Sequence, residues 1–180
     1  MEWFDPMNDF FAHRQWMRRV LSDRLPEIRL RLTRTEQASK SFLDPSPTFH
    51  MRIESHTGLE VGSLRYGVNP LNDRLYVFWV EILTEYRRHG YGLAVLWALY
   101  QLHRLPIVPN HIRGSAEGFW AKARKALRSA GVTILEDLRV GEMDDEKARW
   151  AHLIPEPEYL RLIRECEASP EWAARRQQVP

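Results

Sequence analysis

The sequence predicts an α+β fold in which a central sheet is flanked by helices, and three observations carry that reading. "RLYVFWVEIL" (Arg74 to Leu83) is a β-branched and aromatic run of strand length with no Gly or Pro. Leu93 to Leu105 is almost continuously apolar and is stopped by Pro106, which reads as one buried helix of roughly 20 Å. "TFHMRIESHTGLEVGSLRYGV" (48–68) reads as a hairpin turning near Thr57 and Gly58.

The remaining elements follow in order. "DFFAHRQWMRRVLSDRLP" (Asp9 to Pro26) is amphipathic, and "SFLDPSPTF" (41–49) is a proline-containing connector. After Pro106, "IVPNHI" reads as a short strand and "SAEGFWAKARKALRSAG" as a helix closed by Gly131. "VTILEDL" (132–138) and "ARWAHLI" (148–154) read as a final strand pair. "PEYLRLIRECEA" (157–168) reads as a helix, and Ser169-Pro170-Glu171 sets a capping residue, a first-turn proline and an acid before another. The domain reading is a single domain over 1–180, with a core at about 48–155 and helical additions at 1–45 and 156–180.

Composition narrows the class. A chain of 180 residues with 44% hydrophobic content can bury the core of one domain. Its first apolar positions alternate with charge and proline, and no stretch approaches a membrane span, so the expectation is a soluble, cytoplasmic protein with no membrane contact. Cys166 is alone, which fits a reducing compartment, and its charged "RLIRECE" setting offers it no support as a nucleophile. The seven histidines show no metal-ligand spacing, so no metal is expected. Between His13 and Lys40 basic residues outnumber acids, including the alternating "RLRLTR" at 29–34, while 136–146 is acidic. Arginine-rich stretches are expected here by composition, so a solvated surface is favoured over a nucleic-acid arm.

"TEYRRHGYGLAVLWALY" (84–100) carries the chemistry. Glycines at 90 and 92 let the backbone turn and approach a ligand closely. The helix that starts there presents unpaired N–H groups and a partial positive charge, to which Arg87, Arg88 and His89 add, so the loop suits a phosphate or pyrophosphate. A P-loop would need Gly-Lys-Ser/Thr where Gly92-Leu93-Ala94 stands, and a dinucleotide fingerprint would need a small residue where Val95 stands.

Strand, basic glycine loop and buried helix, with Arg87-Arg88-His89-Gly90-Tyr91-Gly92 at the turn, resemble the GNAT superfamily of N-acetyltransferases, whose motif is Arg or Gln, two residues, Gly, one residue, then Gly or Ala. The resemblance extends over roughly Thr48 to Pro155. It implies a mixed, mostly antiparallel central sheet flanked by helices, acetyl-CoA (coenzyme A) as cofactor, and acyl transfer to a primary amine. It further implies that Ile82 and Leu83 meet the pantetheine arm and that Arg87, Arg88, His89, Gly90, Tyr91 and Gly92 meet the pyrophosphate. The acceptor, whether a small molecule, a peptide or an aminoacyl amine, is not selected by any residue pattern in the chain, and the terminal additions could cover a substrate groove or make a homodimer contact.

Transfer requires a deprotonated amine and a protonated leaving thiolate. By strict alternation Leu75, Val77, Trp79, Glu81 and Leu83 share one face unless a bulge intervenes, which would leave Glu81 poorly solvated, raised in pKa and suited to act as general base. A structural ion pair with an arginine is the competing role for Glu81. His111, after the short strand, is the second candidate, histidine being the residue type most suited to proton transfer near neutral pH. His50, Arg52, Glu54 and His56 alternate onto one strand face and could line a groove. Many family members carry a tyrosine on the following helix to protonate the sulfur. Here the matching positions are Leu127 or Trp120, neither of which is a phenol, leaving Ser115 or water for that role. Two functions therefore stand at this point: an acetyl-CoA-dependent N-acetyltransferase, and a non-catalytic acyl-CoA-binding or nucleic-acid-binding module on the same fold.

Overall fold

A computed structural model describes residues 6–36, 47–153, 158–169 and 172. In chain order it contains α1 (Pro6–Arg24), β1 (Ile28–Glu36), β2 (Thr48–Ser55), β3 (Glu60–Val68), β4 (Leu75–Ile82), α2 (Tyr91–His103), β5 (Ile107–Pro109), α3 (Gly114–Arg128), α4 (Met143–Ala148) and α5 (Glu158–Glu167). The sheet order is β1-β2-β3-β4-β5. The first four strands pair antiparallel and β5 joins β4 parallel, which makes a mixed, mostly antiparallel sheet in an α+β fold.

The hairpin forms as its sequence dictates, with Met51 opposite Leu64 and Gly58 at φ +83° in the turn. Alternation sends Phe49, Met51 and Ile53 of β2, with Leu64 and Tyr66 of β3, to one face of the sheet. On that face α2 buries Val95, Leu96 and Leu99, and α3 adds Trp120, Ala123 and Leu127. α2 is apolar almost all round because helices and sheet enclose it, and Trp97 Nε1 donates to Ser22 Oγ of α1 at 3.1 Å. Arg18 of α1 reaches the C-terminal end of α3, its Nε donating to the Ala130 carbonyl at 3.0 Å. On the opposite face Tyr76, Val108 and Trp150 form a second, smaller cluster.

Two expectations are corrected. The "RLRLTR" stretch is not within a helical addition but part of β1, whose Ile28, Leu30 and Leu32 lie opposite Ser55, Ile53 and Met51, while Arg29, Arg31 and Arg34 are exposed, in keeping with a solvated surface. The final strand pair does not form. Residues 132–138 contribute only isolated parallel bridges, Ile107 to Ile134 and Asn110 to Leu138, and 143–153 is helical. Asp144, Asp145 and Glu146 in the first turn of α4 complement the helix dipole. Glu146 is then held in place by the Tyr76 hydroxyl and by Arg74 Nη1, which lies 2.6 and 2.8 Å from its two oxygens.

The connector at 41–49 lies outside the described residues up to 46. Ser169 Oγ accepts from the Trp172 N–H at 3.3 Å, as expected of a cap, although Pro170 and Glu171 lie outside the described residues. Among the described residues no helix is long and apolar enough to cross a membrane, and no cluster of His, Cys, Asp or Glu could hold a metal. Cys166 is exposed.

Candidate active site

β4 and β5 pair only from Leu75 opposite Ile107 to Val77 opposite Pro109, and the last link is the Asn110 N–H to the Val77 carbonyl at 3.0 Å. Beyond Val77, β4 runs five more residues with β3 as its only strand partner. The Ile82 carbonyl on its open side accepts from Arg87 Nε at 2.9 Å. β5 stops early because Pro109 removes a donor and His111 adopts φ +56°, which turns the chain toward α3. The result is that two parallel strands part at their carboxyl ends, a recurrent ligand position in open sheets.

β4 leads into the loop. After a short 3₁₀ turn at Thr84–Tyr86, Arg88 takes φ +64° and Gly90 φ +88°, and α2 begins. The first intrahelical bond is from the Ala94 N–H to the Gly90 carbonyl at 3.0 Å, and no side chain caps the helix. Consequently the N–H groups from Arg88 to Leu93 have no hydrogen-bond partner among the described residues. Left-handed positions at 88 and 90 around such N–H groups are the geometry of an anion-binding concavity. Arg88 and His89 are exposed on this loop, so their charge is available to a ligand.

The two glycines answer to protein packing as well. A Cβ at 90 would stand 3.1 Å from Pro26 Cδ, and one at 92 would stand 2.8 Å from Phe119 Cε2 of α3. Their small size is thus set by Pro26, which follows α1, and by Phe119 of α3.

The predicted residues do not all stand as the sequence led one to expect. Ile82 is half-buried against the main core, and Leu83 is exposed at the strand end. Glu81 is exposed, and the poorly solvated setting expected for it is absent. The cause is a bulge: Arg65 pairs with Trp79 and Tyr66 with Val77, so Phe78 is an extra residue on β4. Leu75 and Val77 face the main core, as do Val80 and Ile82 after the bulge, which leaves Glu81 on the other face opposite Ser63. Among the described residues Glu81 has no ion pair, so the arginine pairing weighed for it is not formed.

His111 and Ser115 are both exposed, the first at the end of β5 and the second in the first turn of α3. Trp120 and Leu127 are buried in the main core, so neither faces a ligand. His50 lies on the outer face but pairs with Glu36 at 3.1 Å, and Arg52 pairs with Glu60 at 3.1 Å. Two cavities, of about 300 and 390 Å³, lie against α1, and neither is lined by any residue from 82 to 92. Sequence reasoning missed Arg65 and Asn110, which flank the bulge. No spacing rule points to them, because they are placed by strand register.

No family model matches the chain, and no curated protein matches it. Among solved structures, nourseothricin acetyltransferase aligns with a TM-score of 0.35 at 16% identity, over 55% of this chain and 72% of that one. A Deinococcus radiodurans R1 protein described as an acetyltransferase aligns with a TM-score of 0.36 at 11% identity, over 58% of this chain and 93% of that one. At these values neither alignment decides fold or activity. The fold itself is mixed α+β, with a strand, a glycine loop and a helix in succession.

Proposed function

We propose that the protein is an acyltransferase of the GNAT type, which binds acetyl-CoA along the free edge of β4 and transfers its acyl group to a primary amine. The observation that carries this reading is the continuity of that free edge with the unbonded N–H groups from Arg88 to Leu93. An extended arm fits the strand edge near Ile82 and Leu83, and a pyrophosphate fits the loop from Arg87 to Gly92. Acetyl-CoA supplies the activated thioester when bound.

On this reading Glu81 takes the proton of the attacking amine, directly or through water, from the face of β4 opposite the helices. Its exposure supports access by the acceptor. His111 and Ser115, at the mouth formed by β5 and α3, are the groups available to return a proton to the thiolate. The buried settings of Trp120 and Leu127 support a second reading, in which the protein holds an acyl-CoA without turnover. The nucleic-acid alternative loses support, because the arginine run lies in β1, where Arg31 pairs with Glu54 at 3.7 Å and Arg34 pairs with Glu36.

The test is calorimetry with coenzyme A on the parent and on Arg88→Glu, followed by hydrolysis-corrected thiol release from acetyl-CoA over an amine panel. The expected result is binding that falls at least tenfold in the variant, equivalent to about 1.4 kcal/mol, and weakens with salt. A parent without coenzyme affinity, or a folded variant that binds as the parent does, overturns the assignment. Binding with no thiol release from any amine selects the module reading.

A further inference from the structure

Among the described residues three side chains bury a polar atom without a hydrogen-bond partner: Arg65 Nε, Asn110 Oδ1 and Arg124 Nε. Arg124 is otherwise engaged, its Nη2 donating to the Leu135 carbonyl at 3.0 Å and lying 3.5 Å from Glu136. Arg65 and Asn110 have no such explanation, and a buried unpaired polar atom is costly enough to require one.

Both lie beside the same residue. The Arg65 guanidinium carbon stands 5.6 Å from the centre of the Phe78 ring, and no carboxylate among the described residues pairs with it. Asn110 follows β5 and donates its backbone N–H to Val77, the residue before Phe78. Val108 packs with Tyr76 and Phe78 on the outer face, and alternation places Asn110 on that face too. Across the sheet the order is therefore Arg65, Phe78, Asn110, with the outer two strands about 10 Å apart. Glu81 lies on the same face, about 7 Å along the strand from the Trp79 and Arg65 pair.

A cationic donor and a neutral acceptor, both unsatisfied, flank an aromatic ring at the point where β4 loses β5. We propose that this face binds the acceptor amine through a carboxylate held by Arg65 and an N–H accepted by Asn110 Oδ1, so that the substrate class is an amine that also bears a carboxylate. The inference rests on the acyltransferase reading for what becomes of the amine, which the geometry sets toward Glu81. The strand register sets Glu81 two residues, about 7 Å, from the pair that holds Arg65, which suits an amine several bonds from its carboxylate.

The experiment compares lysine with cadaverine, which lacks only the carboxylate, in two readouts: thiol release, and saturation-transfer NMR without coenzyme. The parent is expected to favour lysine at least tenfold in kcat/KM and to show NMR binding of lysine alone. Arg65→Gln should bring the ratio to within about twofold of unity with coenzyme affinity unchanged, and Arg65→Lys should fall between. Asn110→Ala should raise KM for lysine several-fold with kcat nearly constant. Coenzyme binding by the parent with no preference for lysine in either readout overturns the inference while leaving the coenzyme site standing. If the parent fails to bind coenzyme, the NMR arm decides alone: lysine binding lost in Arg65→Gln upholds the carboxylate site, and no lysine binding overturns it.

Discussion

Gly92 and Phe119 meet where the first turn of α2 crosses α3, so closely that a Cβ at 92 would stand 2.8 Å from Phe119 Cε2 and 3.2 Å from Cζ. This contact couples the loop to the helix that carries Ser115. It also gives Gly92 a packing role that does not depend on any ligand.

Gly92→Ala should accordingly destabilise the fold by about 1–3 kcal/mol, the usual cost of overpacking. Phe119→Ala will carry its own cost from lost burial. The double variant should be less destabilised than the sum of the two, because the clash disappears with the ring. Urea unfolding of the four proteins measures the coupling. Additive costs would mean that the ring moves aside freely and that Gly92 is small for another reason.

The ionic cluster behind β4 supports a second prediction. Glu146 receives the Tyr76 hydroxyl, Arg74 and, at 2.8 Å, Arg149, whose other nitrogen pairs with Asp73. Burial, together with the hydrogen bond to Glu146, pushes the Tyr76 phenol well above its ordinary range, so it stays a neutral donor. Glu146→Gln strips Arg74 of its carboxylate, leaves Arg149 with Asp73 alone and should cost about 2–4 kcal/mol, whereas Tyr76→Phe leaves both arginines paired and should cost about 1–2 kcal/mol. Chemical denaturation checks the order, and equal costs would show that the arginines are satisfied by solvent.

How far the sequence could be read depended on whether each element is set locally. The hairpin at Gly58, the strand before the loop, and the helices ended by Pro106 and Gly131 follow from periodicity and punctuation, and all were legible. The exposure of the arginines in β1 was legible but the strand was not, because they dominate the composition while Ile28, Leu30 and Leu32 carry the alternation that matters. The strand expected at 148–154 does not form, because the chain there continues from α4, which is held by Glu146 meeting Tyr76 and Arg74, contacts some 70 residues away in the chain. The bulge at Phe78 belongs to the pairing of β4 with β3 and is invisible in β4 alone, which is why Glu81 was expected on the wrong face. The same pairing places Arg65 beside Phe78, a juxtaposition without a linear signature.

His103 should make stability fall in mild acid. Burial lowers its pKa below the usual histidine value, and its Nε2 lies 3.3 Å from the Tyr66 hydroxyl. The folded state therefore favours the neutral ring. The stabilisation is complete above the unfolded pKa of about 6.5, and is lost as pH falls from there toward the lower folded value, because the unfolded chain takes up the proton first. The urea midpoint should drop between pH 7.5 and 5.5, and the drop should be smaller in His103→Gln. An identical drop in both proteins would assign the acid sensitivity to other groups.

Glu81 is the most exposed prediction of the mechanism. It stands on the outer face of β4 beyond the last β5 pairing, solvent-accessible and without an ion pair among the described residues. A carboxylate in that setting can take a proton from an amine that docks against the same face, and the approaching acceptor would strip water from it and strengthen the interaction. Glu81→Gln keeps the size and hydrogen-bonding capacity but removes proton acceptance. Turnover should fall by about 10²-fold or more, with coenzyme affinity by calorimetry nearly unchanged and the urea midpoint within error of the parent, since an exposed side chain contributes little to stability. Parental turnover in a folded Glu81→Gln protein would remove this residue from proton transfer and leave His111, at the mouth of β5, as the base to test next.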